Sequence, residues 1–253
     1  TPMLSNDALN KSNIKTLTTK NEKSKNIKSS FKPIKRNGGA MLYLNNSTRP
    51  DISYAVNNLG RRQCTYSYAD WKQLQRLMRH VKDTSKLGIK YTFDPDFENA
   101  FEVFVDASLG TNNELGRSTT GYAIFIAKNL VDWKTQLQKH VALSSAEAEY
   151  VALSRVCREI VSIQALAKEL FKYDAKPIVY EDNRAAIKIS KTEETKTFRH
   201  LVNIKYHYVR KLYEDGVIKI KWIPTNEQLA DFFTKAQPAP KFIPNRNTIM
   251  NIH

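Results

Sequence analysis

Four carboxylates, Asp106, Glu149, Asp182 and Asp231, stand at the ends of segments otherwise patterned for burial. Gathered in one pocket they would repel one another and raise each other's pKa values unless divalent cations neutralised them. An all-oxygen set without His or Cys favours Mg²⁺, with Mn²⁺ as a substitute. Two such ions held side by side would clamp the attacking and leaving oxygens of an in-line phosphoryl displacement. Taken singly, each acid also has an ordinary reading. Asp106 begins a turn, Asp182 caps the following helix, Glu149 pairs with a buried Lys or Arg, and Asp231 is a first-turn acid favoured by the helix dipole.

The elements that must position these acids follow from apolar spacing. Across residues 141–170, Ala152, Val156, Ile160, Ile163, Ala167 and Leu170 recur at the period of one helix face. Ser144 and Ser145 stand before that helix as caps. Seven residues back from Val156 the apolar face reaches Glu149, a carboxylate where Leu or Ala is usual. Glu147 is rotated half a turn away and is expected to point to solvent. An inward acid is costly unless cations or hydrogen bonds meet it. Upstream, Phe101, Val103 and Val105 alternate with Glu102 and Phe104, which predicts a strand ending at Asp106. Residues 120–127 and 130–136 predict two more strands, antiparallel neighbours. A short apolar strand over 177–181 runs into Asp182, with a helix from about Asn183. Residues 200–213 carry helical spacing through Ile204, Tyr208 and Leu212, and residues 217–222 predict a fifth strand. Thr225 to Gln228 has capping-box spacing and is expected to open a last helix containing Asp231. The expected fold is α/β, a mixed five-stranded sheet flanked by helices. If its first and fourth strands are neighbours, their ends bring Asp106 and Asp182 together.

Ahead of this lie two shorter helical stripes, one at Ile52, Ala55, Val56 and Leu59, the other at Leu74, Leu77, Met78 and Val81 behind Ser67 to Asp70 as a capping box. The predicted division is a basic, disordered linker over 1–36, a small helical segment over 37–97, the sheet domain over 98–236 and a tail over 237–253. Of 253 residues, 40 are Lys or Arg and 25 Asp or Glu, a formal charge of +15 that suits a polyanion such as nucleic acid. No apolar run approaches a membrane span, and no apolar leader opens the chain. Cys64 and Cys157 lack metal-ligand spacing, so reduced thiols and an intracellular setting are expected. Opening at Thr1 rather than Met, the chain is read as a piece of a longer one.

Seven phrases then carry a resemblance: MLYLNNSTRPDISYAV (41–56), VDAS (105–108), RSTTGYAIF (117–125), VALSSAEAEYVAL (141–153), EDNRAAI (181–187), IKYHYVR (204–210) and IPTNEQLADFFTK (223–235). In that order they resemble the C-terminal part of copia-type retrotransposon Pol polyproteins, where the end of the reverse transcriptase precedes an RNase H domain. The resemblance implies an RNase H-like fold and places the family's acidic tetrad on Asp106, Glu149, Asp182 and Asp231. It implies hydrolysis of the RNA strand of an RNA–DNA hybrid with two Mg²⁺ ions. Asp106 would bridge both, Asp231 would hold the ion activating water, and Glu149 and Asp182 the ion beside the leaving 3′ oxygen. His200, Lys205, His207 and Arg210 would contact phosphates, and the polymerase part of the same polyprotein would be a partner, in the cytoplasmic particle or the nucleus. Arg199 and Asn203 depart from the family's usual Lys and Asp, and no YxDD-type polymerase motif occurs. The alternative is a remnant of the same fold that binds nucleic acid without cutting. An integrase-like enzyme is disfavoured because it places its Glu last.

Overall fold

Alternation and helical period translate into elements over the residues this computed structural model describes: 1–2, 31–62, 67–93, 95, 100–110, 116–191 and 203–252, with the side chains of 31–36 and 203–207 outside that description. In chain order these are α1 (Phe31–Ser47), a 3₁₀ turn (Pro50–Ile52), α2 (Ser53–Gly60), α3 (Tyr68–Asp83), β1 (Phe101–Ser108), β2 (Thr119–Ile126), β3 (Asn129–Leu137) and α4 (Ser145–Phe171). There follow β4 (Ile178–Glu181), α5 (Arg184–Lys191), α6 (Asn203–Glu214), β5 (Lys219–Trp222), α7 (Asp231–Thr234) and α8 (Ala239–Met250). They form two compact units: a helical unit of Thr1–Lys90 and Lys235–His253, and a sheet unit of Tyr91–Thr234.

The sheet unit has the expected architecture, a mixed five-stranded sheet with helices, in the order β3-β2-β1-β4-β5. β1, β2 and β3 are antiparallel, while β4 and β5 run parallel to β1. Ala127 and Lys128, both at positive φ, make the tight turn between β2 and β3, a twist that matches the flanking strands. One sheet face presents Phe101, Val103, Val105 and Val179 to Leu153, Val156, Cys157 and Ile160 of α4, all at most 1% exposed. Area removed from water on this scale is the main force holding helix to sheet. The other face carries Phe104 stacked on Tyr180, whose hydroxyl donates to Glu102.

The apolar stripe of α4 fades at its far end, where Leu170 is 61% exposed. A helix of 27 residues spans about 40 Å and outruns the eight residues of β1. The helix expected from Thr225 does not form either: residues 225–227 are a turn, and α7 has four residues. Gln228 explains it. Instead of closing a capping box, its amide donates to the carbonyls of Val105 (3.0 Å) and Tyr180 (3.4 Å), stitching β1 to β4.

In the helical unit, Ile52, Ala55, Val56, Leu59, Leu74 and Leu77 form one core. Ser67 caps α3 in the expected box, its hydroxyl accepting the Asp70 N–H while Asp70 accepts the Ser67 N–H. Arg49 donates to both oxygens of buried Asp51, at 2.7 and 2.8 Å, and His80 meets the same carboxylate at 2.7 Å. The tail expected over 237–253 contains α8, which buries Phe242, Ile249 and Met250 and belongs to this unit. Of the linker expected over 1–36, residues 3–30 lie outside the described residues and 31–36 begin α1.

Candidate metal centre

Asp106 lies near the end of β1, opposite Gly121 of β2. The parallel pairing of Phe104 with Tyr180, extended by two residues, sets Asp106 beside Asp182 just beyond β4. Glu149 comes down onto the same spot from the second turn of α4, immediately before Tyr150 in the chain and 5% exposed. Asp106, Glu149 and Asp182 each offer an oxygen, and these oxygens lie within 4.8 Å of one another. The inward turn of Glu149 read from the helical period is therefore realised.

The ordinary readings do not account for these side chains. Asn183, not Asp182, caps α5, its Oδ1 accepting the N–H groups of Ala185 and Ala186. Among the described residues no Lys or Arg makes an ion pair with Glu149. Its Oε2 is buried without a hydrogen-bond partner. Burial, then the charges of Glu181, Asp106 and Asp182, push the Glu149 carboxyl well above the usual range, with the Ala107 N–H opposing. An orphaned carboxylate oxygen facing other acids is what a hard divalent cation fits.

Asp231 is the first residue of α7 and 4% exposed, but it does not join the other three within 4.8 Å. Its helix nevertheless reaches the centre, because the Thr234 hydroxyl donates to Asp106 Oδ2. Gly121 allows that approach: a Cβ there would lie 2.6 Å from Thr234 Cγ2 and 2.8 Å from Phe233 Cβ.

Glu147 corrects the solvent-facing expectation. It is 7% exposed, its N–H donates to Ser144 Oγ, and its Oε2 accepts the Leu143 N–H at 2.7 Å. The unpaired N–H groups at the start of α4 draw the side chain back on itself. A fifth acid, Glu181, was missed. It is fully buried, one Oε accepts the Asn183 N–H and the other has no partner. Burial first, then Asp182 and Asp106, raise its pKa well above the usual range. The signal was available, since strand alternation sets Glu181 on the same inner face as Val179.

Of the expected phosphate contacts, His200 and the side chains of Lys205 and His207 lie outside the described residues; Arg210 is half-buried on α6. No helix among the described residues is long and apolar enough to cross a membrane.

No protein-family model matches the chain. It is 30% identical over 207 residues to the retrovirus-related Pol polyprotein from transposon TNT 1-94 of Nicotiana tabacum, which covers 81% of this chain and 15% of that protein. With the Pol polyprotein from transposon RE2 of Arabidopsis thaliana it shares 29% identity over 198 residues, 78% of this chain and 13% of the relative. The chain thus spans well under a fifth of the length of these curated relatives. Among solved structures, LC11-RNase H1 isolated from compost aligns with 53% of this chain and 91% of its own, at 18% identity and a TM-score of 0.41.

Proposed function

This chain is a homologue of the retrovirus-related Pol polyproteins of plant transposons, fitting the copia type, and on that premise we propose that its sheet unit hydrolyses the RNA strand of RNA–DNA hybrids. The observation that carries the reading is the convergence of Asp106, Glu149 and Asp182 from three separate elements onto one spot, where Glu149 Oε2 is buried without a hydrogen-bond partner and, among the described residues, no Lys or Arg pairs with Glu149.

Mg²⁺, or Mn²⁺ in its place, suits these ligands, with Asp106, Glu149 and Asp182 holding it and Asp231 as the fourth acid of a two-ion site. When bound, such ions supply the positive charge that an in-line displacement needs on its attacking and leaving oxygens. The protein's own part is to hold its oxygens ready. The Thr234 hydroxyl orients Asp106. Gln228 fixes the distance between the strands that carry Asp106 and Asp182. Glu149 Oε2 gives up no hydrogen bond when it takes a ligand.

The RNA strand would be told from its DNA partner by its 2′-OH, and the rest of the grip would go to phosphates. His200, Lys205, His207 and Arg210 on and before α6 are the proposed phosphate contacts, in keeping with the formal charge of +15. The polymerase part of the same polyprotein is the proposed partner, within the cell in the cytoplasmic particle or the nucleus. A second reading, hybrid binding without cleavage, is favoured by the separation of Asp231 from the other three acids.

One assay separates the two. The full chain with a labelled RNA–DNA hybrid and Mg²⁺ is expected to release RNA fragments, EDTA to stop it, and Asp106→Asn to abolish it while retaining hybrid binding. Binding with no cleavage in either Mg²⁺ or Mn²⁺ would establish the silent remnant instead.

A further inference from the structure

An indole and a guanidinium stand beside the acids without a role in holding them. Trp222 ends β5 in register with Glu181, and its Nε1 donates to the Asp182 carbonyl oxygen at 3.1 Å. The ring is thereby tied to the backbone of a proposed metal ligand. Yet 47% of Trp222 remains exposed, unusual for a side chain with so much apolar surface to hide. Arg184, the first residue of α5, places its guanidinium 4.5 Å from the centre of that ring. Among the described residues Arg184 makes no ion pair with any Asp or Glu, although acids cluster nearby. Asn183, capping α5 immediately before it, fixes where Arg184 starts.

We infer that Trp222 and Arg184 form the grip that seats a polynucleotide strand over Asp182. Successive units of a strand in a hybrid duplex offer an apolar sugar face and an anionic phosphate. An exposed indole takes the first by van der Waals contact, and a guanidinium held over a ring keeps its N–H groups for the second. Contact with sugars is blind to the base, which suits a surface that must engage every sequence. Because the indole is also bonded to the Asp182 carbonyl, the strand it holds is registered against the acids rather than merely attracted to a basic surface. These are positioning residues, and the inference rests on the nuclease reading above.

The test uses the full chain carrying Asp106→Asn, so that substrate survives, and follows a fluorescently labelled RNA–DNA hybrid by anisotropy. Trp222→Leu is expected to weaken binding about tenfold, and Trp222→Phe, which keeps a ring but loses the hydrogen bond to Asp182, by no more than about threefold. Arg184→Gln is expected to weaken it severalfold and to reduce the slope of log affinity against log salt by about one. Equal affinity in parent, Trp222→Leu and Arg184→Gln overturns the inference and leaves the nuclease reading standing. Equal losses in Trp222→Leu and Trp222→Phe also overturn it, because they assign the effect to the Asp182 hydrogen bond. Should Trp222→Leu fail to fold by circular dichroism, Arg184→Gln decides alone. If the parent binds no hybrid and the unsubstituted chain cuts none, the nuclease reading falls and this inference with it.

Discussion

Asp51 in the helical unit and Glu149 in the sheet unit are both carboxylates shut away from water, and the chain meets their charge in opposite ways. Asp51 pays its burial back through Arg49 on both oxygens and His80 on one. Burial pushes its carboxyl upward, but these partners outweigh that and leave it below the usual range. Glu149 has burial working against it and other acids for company, so its carboxyl is driven up. The first arrangement is complete as it stands; the second leaves Glu149 Oε2 unmet by any hydrogen bond. A buried acid neutralised by the chain's own bases serves the fold, whereas one left to its fellow acids signals a ligand.

The contrast is broken most decisively by neutralising Glu149. Glu149→Gln is expected to abolish hybrid cleavage and yet to raise the thermal midpoint of the protein in EDTA, by relieving repulsion; a lower midpoint with full cleavage would erase the distinction. On the other side, Arg49→Met leaves Asp51 buried without its main partner and should cost about 3–5 kcal/mol in denaturant unfolding of the helical unit. A loss below about 1 kcal/mol would mean that the Arg49–Asp51 pair contributes no more than an exposed one. Glu147→Gln sharpens the comparison within α4 itself. It weakens a helix cap and should cost about 1 kcal/mol while cleavage persists, because Glu147 faces the helix start and not the acids.

The smallest expected effect is on pH. Glu149 and Glu181 have folded pKa values above their ordinary 4.5, so the folded chain holds their protons more tightly than the unfolded one. Their contribution to stability is therefore full below about 4.5 and is lost as pH rises through the folded values. Asp51, lowered from 3.8, behaves oppositely: its stabilisation is present above that value and fades as pH falls through the folded one. Calorimetry in EDTA should show the sheet unit losing midpoint as pH rises from mild acid to neutrality, and millimolar Mg²⁺ should remove that loss. An unchanged profile with Mg²⁺ would count against cation binding at these acids.

Glu149 was legible because it violates a helical period that its neighbours obey, and Asp106 and Asp182 because strands announce their own ends. Glu147 was misjudged because periodicity reports which way a helix face points, not whether free N–H groups will bend a side chain back. Gln228 was out of reach: its partner Val105 lies 123 residues earlier, and no local pattern encodes a bond from a side chain to a distant strand carbonyl. The last helix was hidden by its prolines, since Pro240 sits near its start and Pro244 inside it, where sequence patterning reads a break. Its three buried side chains, Phe242, Ile249 and Met250, outweigh that local preference.

That last helix has a consequence for how the molecule comes into being. The helical unit draws on both Thr1–Lys90 and Lys235–His253, so the sheet unit is an insertion within it. A ribosome reading from the amino end finishes every strand of the sheet before α8 exists. The sheet unit can therefore reach its folded state first, while its host waits with part of its apolar surface uncovered until Phe242, Ile249 and Met250 of α8 emerge.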